Sequence, residues 1–392
     1  MRIGVIVFPA LLVCAAAAIG QTYSVTDLGD LKGGTGSSNA TDINNSGQIT
    51  MYAQDAGNVT RPALWLAAPA YGLPAGLNNL NSNFGAAGAN GISDTGYVAA
   101  DNDQLNLNNG TLTNLGNFPQ PGGGPIMSQA ANSAGNLTGF GAQPGGTPQA
   151  VRWNGSSQPL GGLTGTNGFS AGHDINNIGQ GEVVGYSRTI PDRAFAWIDP
   201  ATPDGRYPWV PTSIFDLGVI SGNAADPGHA YGMNDDLLIV GDSRIGTGSA
   251  IHATLWDPRT AFMGNNPSHF TIRDLGALLG NAGNSNADDI NAFGDVVGFS
   301  DSGGFINHAT AWLASNNFGI IDLNNHLDAS GIGWTLQSAI AINDNGWIVG
   351  TGTNPNGRSH AYLLQPVPEP SSALVLATCA VMPLVRRRRR SD

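Results

Sequence analysis

Two pairs of adjacent acids, Asp235-Asp236 and Asp288-Asp289, are the first residues in this sequence that could do chemistry. General acid/base catalysis needs two titratable groups held close together, and a carboxylate pair is one way to supply them. Both pairs stand beside the same recurring turn. That context assigns them to solvated or strand-end positions instead of to proton transfer. The turn itself, "DINNSG" at 42–47, superficially matches a D-x-N-x-N-G calcium loop. Calcium takes six to eight oxygens, typically closed by a bidentate carboxylate. Here position 45 is Asn, no Glu follows closely, and the next acid is Asp55. A hairpin turn is therefore the preferred reading and calcium the weaker one. The seven histidines suggest a metal site only until they are placed. His252, His308 and His360 hold one position in three repeats, so they lie in separate units and cannot converge on one ion. A structural role follows. The sequence has no H-E-x-x-H or P-loop. No catalytic, cofactor-binding or metal-ligating residue is assigned.

The elements that carry these residues come from three alternating signals. "DLG" stands at 27–29, 216–218 and 274–276, with weaker copies at Asn79-Leu80, Asn114-Leu115-Gly116, Pro159-Leu160-Gly161 and Asp322-Leu323. The turn motif centres on Asn44, Gly91-Ile92-Ser93, Asn132, Asn176, Asn234, Asn291 and Asn343. "HAxxW" runs from His252 to Trp256 and from His308 to Trp312. Variants end at Trp65, Trp153, Trp197 and Leu364, and "DQLNLNNG" at 103–110 holds the place in the second repeat.

"AxxIN" and "GxVVG" flank a turn whose Asn and Gly tolerate positive φ, as a tight hairpin needs. Gly179 and Gly294 are expected to adopt it. "HATLW" alternates its faces, His252, Thr254 and Trp256 against Ala253 and Leu255. Each unit of roughly 40–58 residues thus holds four short strands: a ("AxxIN"), b ("GxVVG"), c ("HAxxW") and d ("xxDLG"). Seven such units predict an all-β, seven-bladed β-propeller. The chain starts with a lone strand d and ends on a, b and c. The first strand is therefore expected to complete the last blade and leave no free edge. The recurrent tryptophans suit packing between blades. In the long segment 199–214, Tyr207 and Trp209 read as a packed cover ahead of a sugar platform.

Composition agrees. Glycine accounts for 56 residues, Lys32 is the only lysine, and Glu182 and Glu369 are the only glutamates. The net charge is −12, and five of the fifteen arginines stand together at 386–390. So acidic a surface repels phosphate backbones, which argues against nucleic-acid binding. Cys14 and Cys379, the two cysteines, both lie in apolar terminal segments, so burial and pairing must hold the middle.

Both ends read as address labels. Met1-Arg2, an apolar run and Ala18-Ile19-Gly20 form a signal peptide over 1–20. The propeller is expected over 21–365 and a tail over 366–392. Val367-Pro368-Glu369-Pro370 precede a short apolar run, 373–385, and then Arg386, Arg387, Arg388, Arg389 and Arg390. Thirteen residues fall short of the ~20 of an ordinary membrane span, and the arginines form a basic, cytoplasmic stop.

The ordered "DLG", "DINNxGQ" and "HAxxW" copies resemble the HAF-type extracellular repeat proteins over nearly all of 23–364. That resemblance implies a secreted repeat protein and no particular reaction. The tail resembles a PEP-CTERM sorting signal. It implies a Gram-negative-type bacterium, transient anchoring of the precursor in the inner membrane, processing by an exosortase-type enzyme, and release to a cell surface rich in exopolysaccharide. The expected function is a non-catalytic binding or structural protein of that surface. A propeller-based polysaccharide lyase or glycoside hydrolase is the alternative.

Overall fold

Val, Ile, Thr and Trp fill the repeated segments and Asn-Gly the joints, a distribution that favours extended strands closed by tight turns. The computed structural model describes residues 21–165, 168–201, 205–207, 210, 213–246, 250–259, 270–304 and 306–368. The expected signal peptide over 1–20, Trp209, Glu369, Pro370 and the five arginines lie outside them. The chain forms seven four-stranded antiparallel sheets, each with strands a to d in consecutive order. Blades 1 to 6 occupy 38–79, 91–114, 126–161, 170–216, 228–276 and 285–322.

Blade 7 is built from both ends of the chain. Strands a (Thr335–Ile342), b (Ile348–Thr353) and c (Ser359–Val367) come last in sequence, and Thr22–Asp27 pairs with strand c as its strand d. The register runs from Thr22 opposite Val367 to Asp27 opposite Tyr362. The expected closure is therefore what holds the ring shut. Strand c continues two residues past the boundary expected at 365, with Pro366 opposite Tyr23. The physical reason is local. Strand b begins at Ile348, opposite Leu364, so residues 365–367 have no strand b residue beside them. A proline lacking its N–H is tolerated at such an edge.

The strand register explains what the motifs do. In "DLG" the Asp side chain accepts the N–H of the Gly two residues on, at 2.8 Å for both Asp27–Gly29 and Asp274–Gly276. That closes an Asx turn with the glycine at positive φ, 73° and 75°. The "HAxxW" histidine then reaches the same Asp from the neighbouring strand. His252 Nδ1 lies 2.8 Å from Asp274 Oδ1, His308 Nδ1 2.8 Å from Asp322 Oδ2, and His360 Nδ1 2.8 Å from Asp27 Oδ1. In blade 4 an arginine does this work, Arg193 to Asp216 at 3.0 Å. Burial pushes the Asp274 carboxyl up, but the bonds from His252 and the Gly276 N–H more than offset it and hold the group below its ordinary range.

The tryptophans pack between blades, as their spacing suggests. Trp256 and Trp312 are fully buried. Trp256 sits among Val184 and Ala196 of blade 4 and donates to the Gly218 carbonyl at 3.2 Å. Tyr207 packs against that same cluster, and Arg206 pairs with Asp236 at 2.6 Å, so this part of segment 199–214 is a cover.

Candidate functional site

The repeated turn points at the axis of the ring. In blade 1 the Asn44 N–H bonds the Gln48 carbonyl and the Gly47 N–H bonds the Asn44 carbonyl, which is a tight hairpin with Gly47 at φ 71°. Gly179 and Gly294 also take positive φ, 58° and 85°. The Asn44 side chain shapes its own turn, its Oδ1 accepting the N–H groups of Ser46 and Gln48. Its Nδ2 donates out of the blade, to the Ser93 carbonyl of blade 2 at 3.0 Å.

Every junction of the ring is bridged this way or by a neighbouring group. Asn132 reaches Asn176, Asn234 reaches Asn291, Asn291 reaches Asn343, and Asn343 returns to the Asn44 carbonyl at 3.0 Å. Thr95 donates to the Ser133 carbonyl, and the Asn177 N–H to Asp235. The aspartates of "DIN" add a second layer. Asp42, Asp174 and Asp289 each accept the N–H of the next residue and, on the other oxygen, an N–H of the next blade: Ile92, Met233 and Ile342, at 2.7–2.8 Å. Small residues of the adjoining blades face two of these Asp, Gly91 from the blade after Asp42 and Gly232 from the blade before Asp289. A β-carbon on Gly91 would stand 3.4 Å from Asp42 Oδ2, and one on Gly232 3.3 Å from Asp289 Oδ1. That is why the repeats alternate Asp with Gly or Ala before "IN".

These three carboxylates divide the channel into two cavities. One, of about 190 Å³, opens at the hairpins and is walled by the Asn ring. The other, of about 110 Å³, lies toward the loops joining strands d to a and b to c. His173, Tyr231 and Asp288, at equivalent positions on strands a of blades 4, 5 and 6, line it. The His173 and Tyr231 rings are stacked at 5.3 Å and 8°, and Tyr186 and His229 extend the cluster at 5.3 and 5.2 Å centroid spacings. Asp242 anchors it, 2.8 Å from His229 Nδ1 and accepting the Tyr231 hydroxyl at 3.1 Å.

The electrostatics of the channel follow from desolvation. Burial, helped by repulsion from Asp174 and Asp94, lifts the Asp42 carboxyl to about 7 against the pull of its two N–H bonds. Burial likewise lifts Asp174 to about 6 and, with Asp242 nearby, Asp288 to about 8. Asp289 goes well above the usual range through burial and repulsion from Asp174 and Asp42. Burial pushes His173 down to about 4, so its ring is neutral. Of the solvated or strand-end positions expected for Asp288-Asp289, the strand end holds, since the strand runs Ser285–Ile290, and free solvation does not. Strand a of blade 6 carries both, half-buried, onto the channel wall. Asp235 is exposed, as expected, and its carboxylate caps the Asn177 N–H. Among the described residues, no group of three or more His, Cys, Asp or Glu side chains is arranged to hold a metal.

His173, Tyr186, His229, Tyr231 and Asp242 were not legible as a site in the sequence. The signal was the position two residues before the Ile, Met or Ala of each turn motif. It reads Thr41, Asn90, Gln129, His173, Tyr231, Asp288 and Ile340, varying where the motif around it repeats.

The raised carboxyls carry a stability prediction. A group whose folded pKa exceeds its unfolded value near 4 stabilises fully below pH 4 and loses that contribution as pH rises through its folded pKa. For Asp174, Asp42 and Asp288 the loss starts above about pH 4 and is complete near pH 6, 7 and 8 in turn, so Asp42 and Asp288 still contribute a change between pH 6 and 8. The melting temperature should therefore rise on going from pH 8.5 to 6, by on the order of 5 °C. Asp288→Asn should flatten the dependence, and a flat wild-type profile in differential scanning calorimetry would contradict the assignment.

No protein-family model matches this chain, and no curated protein matches it.

Proposed function

We propose that this protein is an exported, non-catalytic binding or structural component of a bacterial cell surface or exopolysaccharide matrix, sorted there by its C-terminal tail. One observation carries the non-catalytic part. The carboxylates that converge on the axis, Asp42, Asp174 and Asp289, each accept two backbone N–H bonds, one of them across a blade junction. They act as clasps of the ring, and a carboxylate so engaged is poorly placed to take a substrate proton. The ring cluster of His173, Tyr186, His229 and Tyr231 offers flat, partly apolar faces of the kind that suit a sugar ring.

The tail supports the export reading through its order: Val367-Pro368-Glu369-Pro370, a short apolar run, then Arg386 to Arg390. The last strand ends at Val367, so cleavage just beyond it removes no part of the ring. The mature protein from the native bacterium is expected to lack the arginines, and replacing Pro368, Glu369 and Pro370 by alanine should leave uncleaved precursor in the membrane fraction. Intact-mass spectrometry checks this. A wild-type chain still ending at Asp392 would overturn the sorting.

A second reading, a propeller-based polysaccharide lyase or glycoside hydrolase, is favoured by one feature. A neutral His173 and an Asp288 carboxyl lifted to about 8 share one cavity, an acceptor and a donor of protons side by side.

A further inference from the structure

Two acceptors on the blade 6 wall have no donor. Asp288 Oδ2 and Asn286 Oδ1 are both shielded from bulk water and without a hydrogen-bond partner. The residues are tied to each other, Asn286 Nδ2 donating to Asp288 Oδ1 at 3.0 Å, which leaves one orphaned oxygen on each. Buried acceptors without donors are costly; burial keeps the Asp288 carboxyl protonated near neutral pH, and an ammonium set beside it would take the place of that proton. Asp288 borders the 110 Å³ cavity together with His173 and Tyr231. Asn286 stands one layer nearer the loops, at the position that His229 holds in blade 5.

The neighbouring side chains do not supply the missing donor. His173 Nδ1 lies 3.1 Å from the Ala230 carbonyl, so that nitrogen carries the proton and Nε2 is left as an acceptor. The Tyr231 hydroxyl is given to Asp242. The wall thus combines unpaired acceptors with aromatic faces. Its complement is a ligand rich in donors, positively charged, and with a ring to lay against Tyr231. An ammonium fits the acceptors, and it is also drawn to an aromatic face. The net charge of −12 favours the approach of a cationic polymer. With no three-ligand metal cluster among the described residues, an organic ammonium suits the wall better than a bare metal ion.

We infer that the channel wall of blades 4 to 6 binds a glycan carrying free amino groups, its ammonium donating to Asp288 and Asn286 and its ring resting on Tyr231 and His173. This rests on the reading of the protein as an exopolysaccharide binder and adds the class of sugar and the residues that select it.

The test is calorimetric titration of the purified protein with three tetrasaccharides: a fully de-N-acetylated glucosamine tetramer, its N-acetylated counterpart, and cellotetraose. The amine form should bind at least about tenfold more tightly than the other two, as loss of a charge-assisted bond predicts. Asp288→Asn, checked for folding by circular dichroism, should remove that preference and leave the weaker binding of the uncharged sugars in place. Asn286→Leu is the second variant and should narrow the preference in the same direction. Equal affinity for the amine and N-acetylated forms, or a preference that survives Asp288→Asn, overturns the inference while leaving a glycan-binding propeller intact. Failure of the folded protein to bind any glycan, in this panel or in a wider array, overturns the inference and the binding role together.

Discussion

Removal of residues 21–31 is expected to turn a monomer into an aggregating protein with a melting temperature lower by more than about 10 °C. The segment contains the strand Thr22–Asp27, which covers the outer edge of Ser359–Val367 from Tyr362 to Val367. It also contains Asp27, the partner of His360, and Leu28, which is buried in the core between blades 7 and 1. Without it, blade 7 presents a nine-residue strand with unpaired N–H and C=O groups, a template for pairing with another chain. Size-exclusion chromatography with light scattering reads the outcome. A truncated protein that stays monomeric with an unchanged melting temperature would mean that the ring does not depend on its first strand.

The second large effect is expected at Gly298. Strand a of blade 6 bulges between Ala287 and Asp289, directly opposite this glycine. The bulge drives the Asn286 carbonyl oxygen to 1.9 Å from where a β-carbon on Gly298 would stand. Gly139, Gly185, Gly241 and Gly350 meet the same 1.9 Å obstacle in their own blades, which accounts for the last letter of "GxVVG". Gly298→Ala must push backbone aside and should cost on the order of 3 kcal/mol or more. Gly294, four residues earlier, is a glycine for a different reason. It stands at φ 85° with the nearest side-chain atom 3.5 Å from its virtual β-carbon. Gly294→Ala therefore meets backbone strain alone and should cost about 1–2 kcal/mol. Urea denaturation of the two variants should show Gly298→Ala as clearly the worse. Equal midpoints would contradict the account of the bulge.

Those two glycines also show what could be read in advance. The hairpin glycine is a local matter: Asn-Gly between alternating apolar runs demands positive φ wherever the strands go. The "VVG" glycine answers to a carbonyl on another strand, and no spacing within the motif reveals it. The lone "DLG" at the start exposed the ring closure because it broke the alternation of signals. The His–Asp pairs were half legible. A structural role for His252, His308 and His360 followed from their equivalence, but the partner needed the strand c to strand d register. The channel cluster was the least legible part. His173, Tyr231 and Asp288 come from three repeats and meet only because strand a is innermost in every blade. A search for repetition passes over the one position that varies. The acid pair at 288–289 was half legible: its strand-end place followed from the turn beside it, but that the ring folds it inward did not.

The central claim is that this propeller holds polysaccharide without cutting it. The direct measurement is to incubate the purified protein with exopolysaccharide from its native bacterium at pH 5.5 to 8.5. Retention on the immobilised polymer and the appearance of reducing or unsaturated ends are followed in the same samples. Saturable retention with a constant number of chain ends is the predicted result. A rise in chain ends that Asp288→Asn or His173→Ala abolishes would instead make the channel an active site and contradict the account.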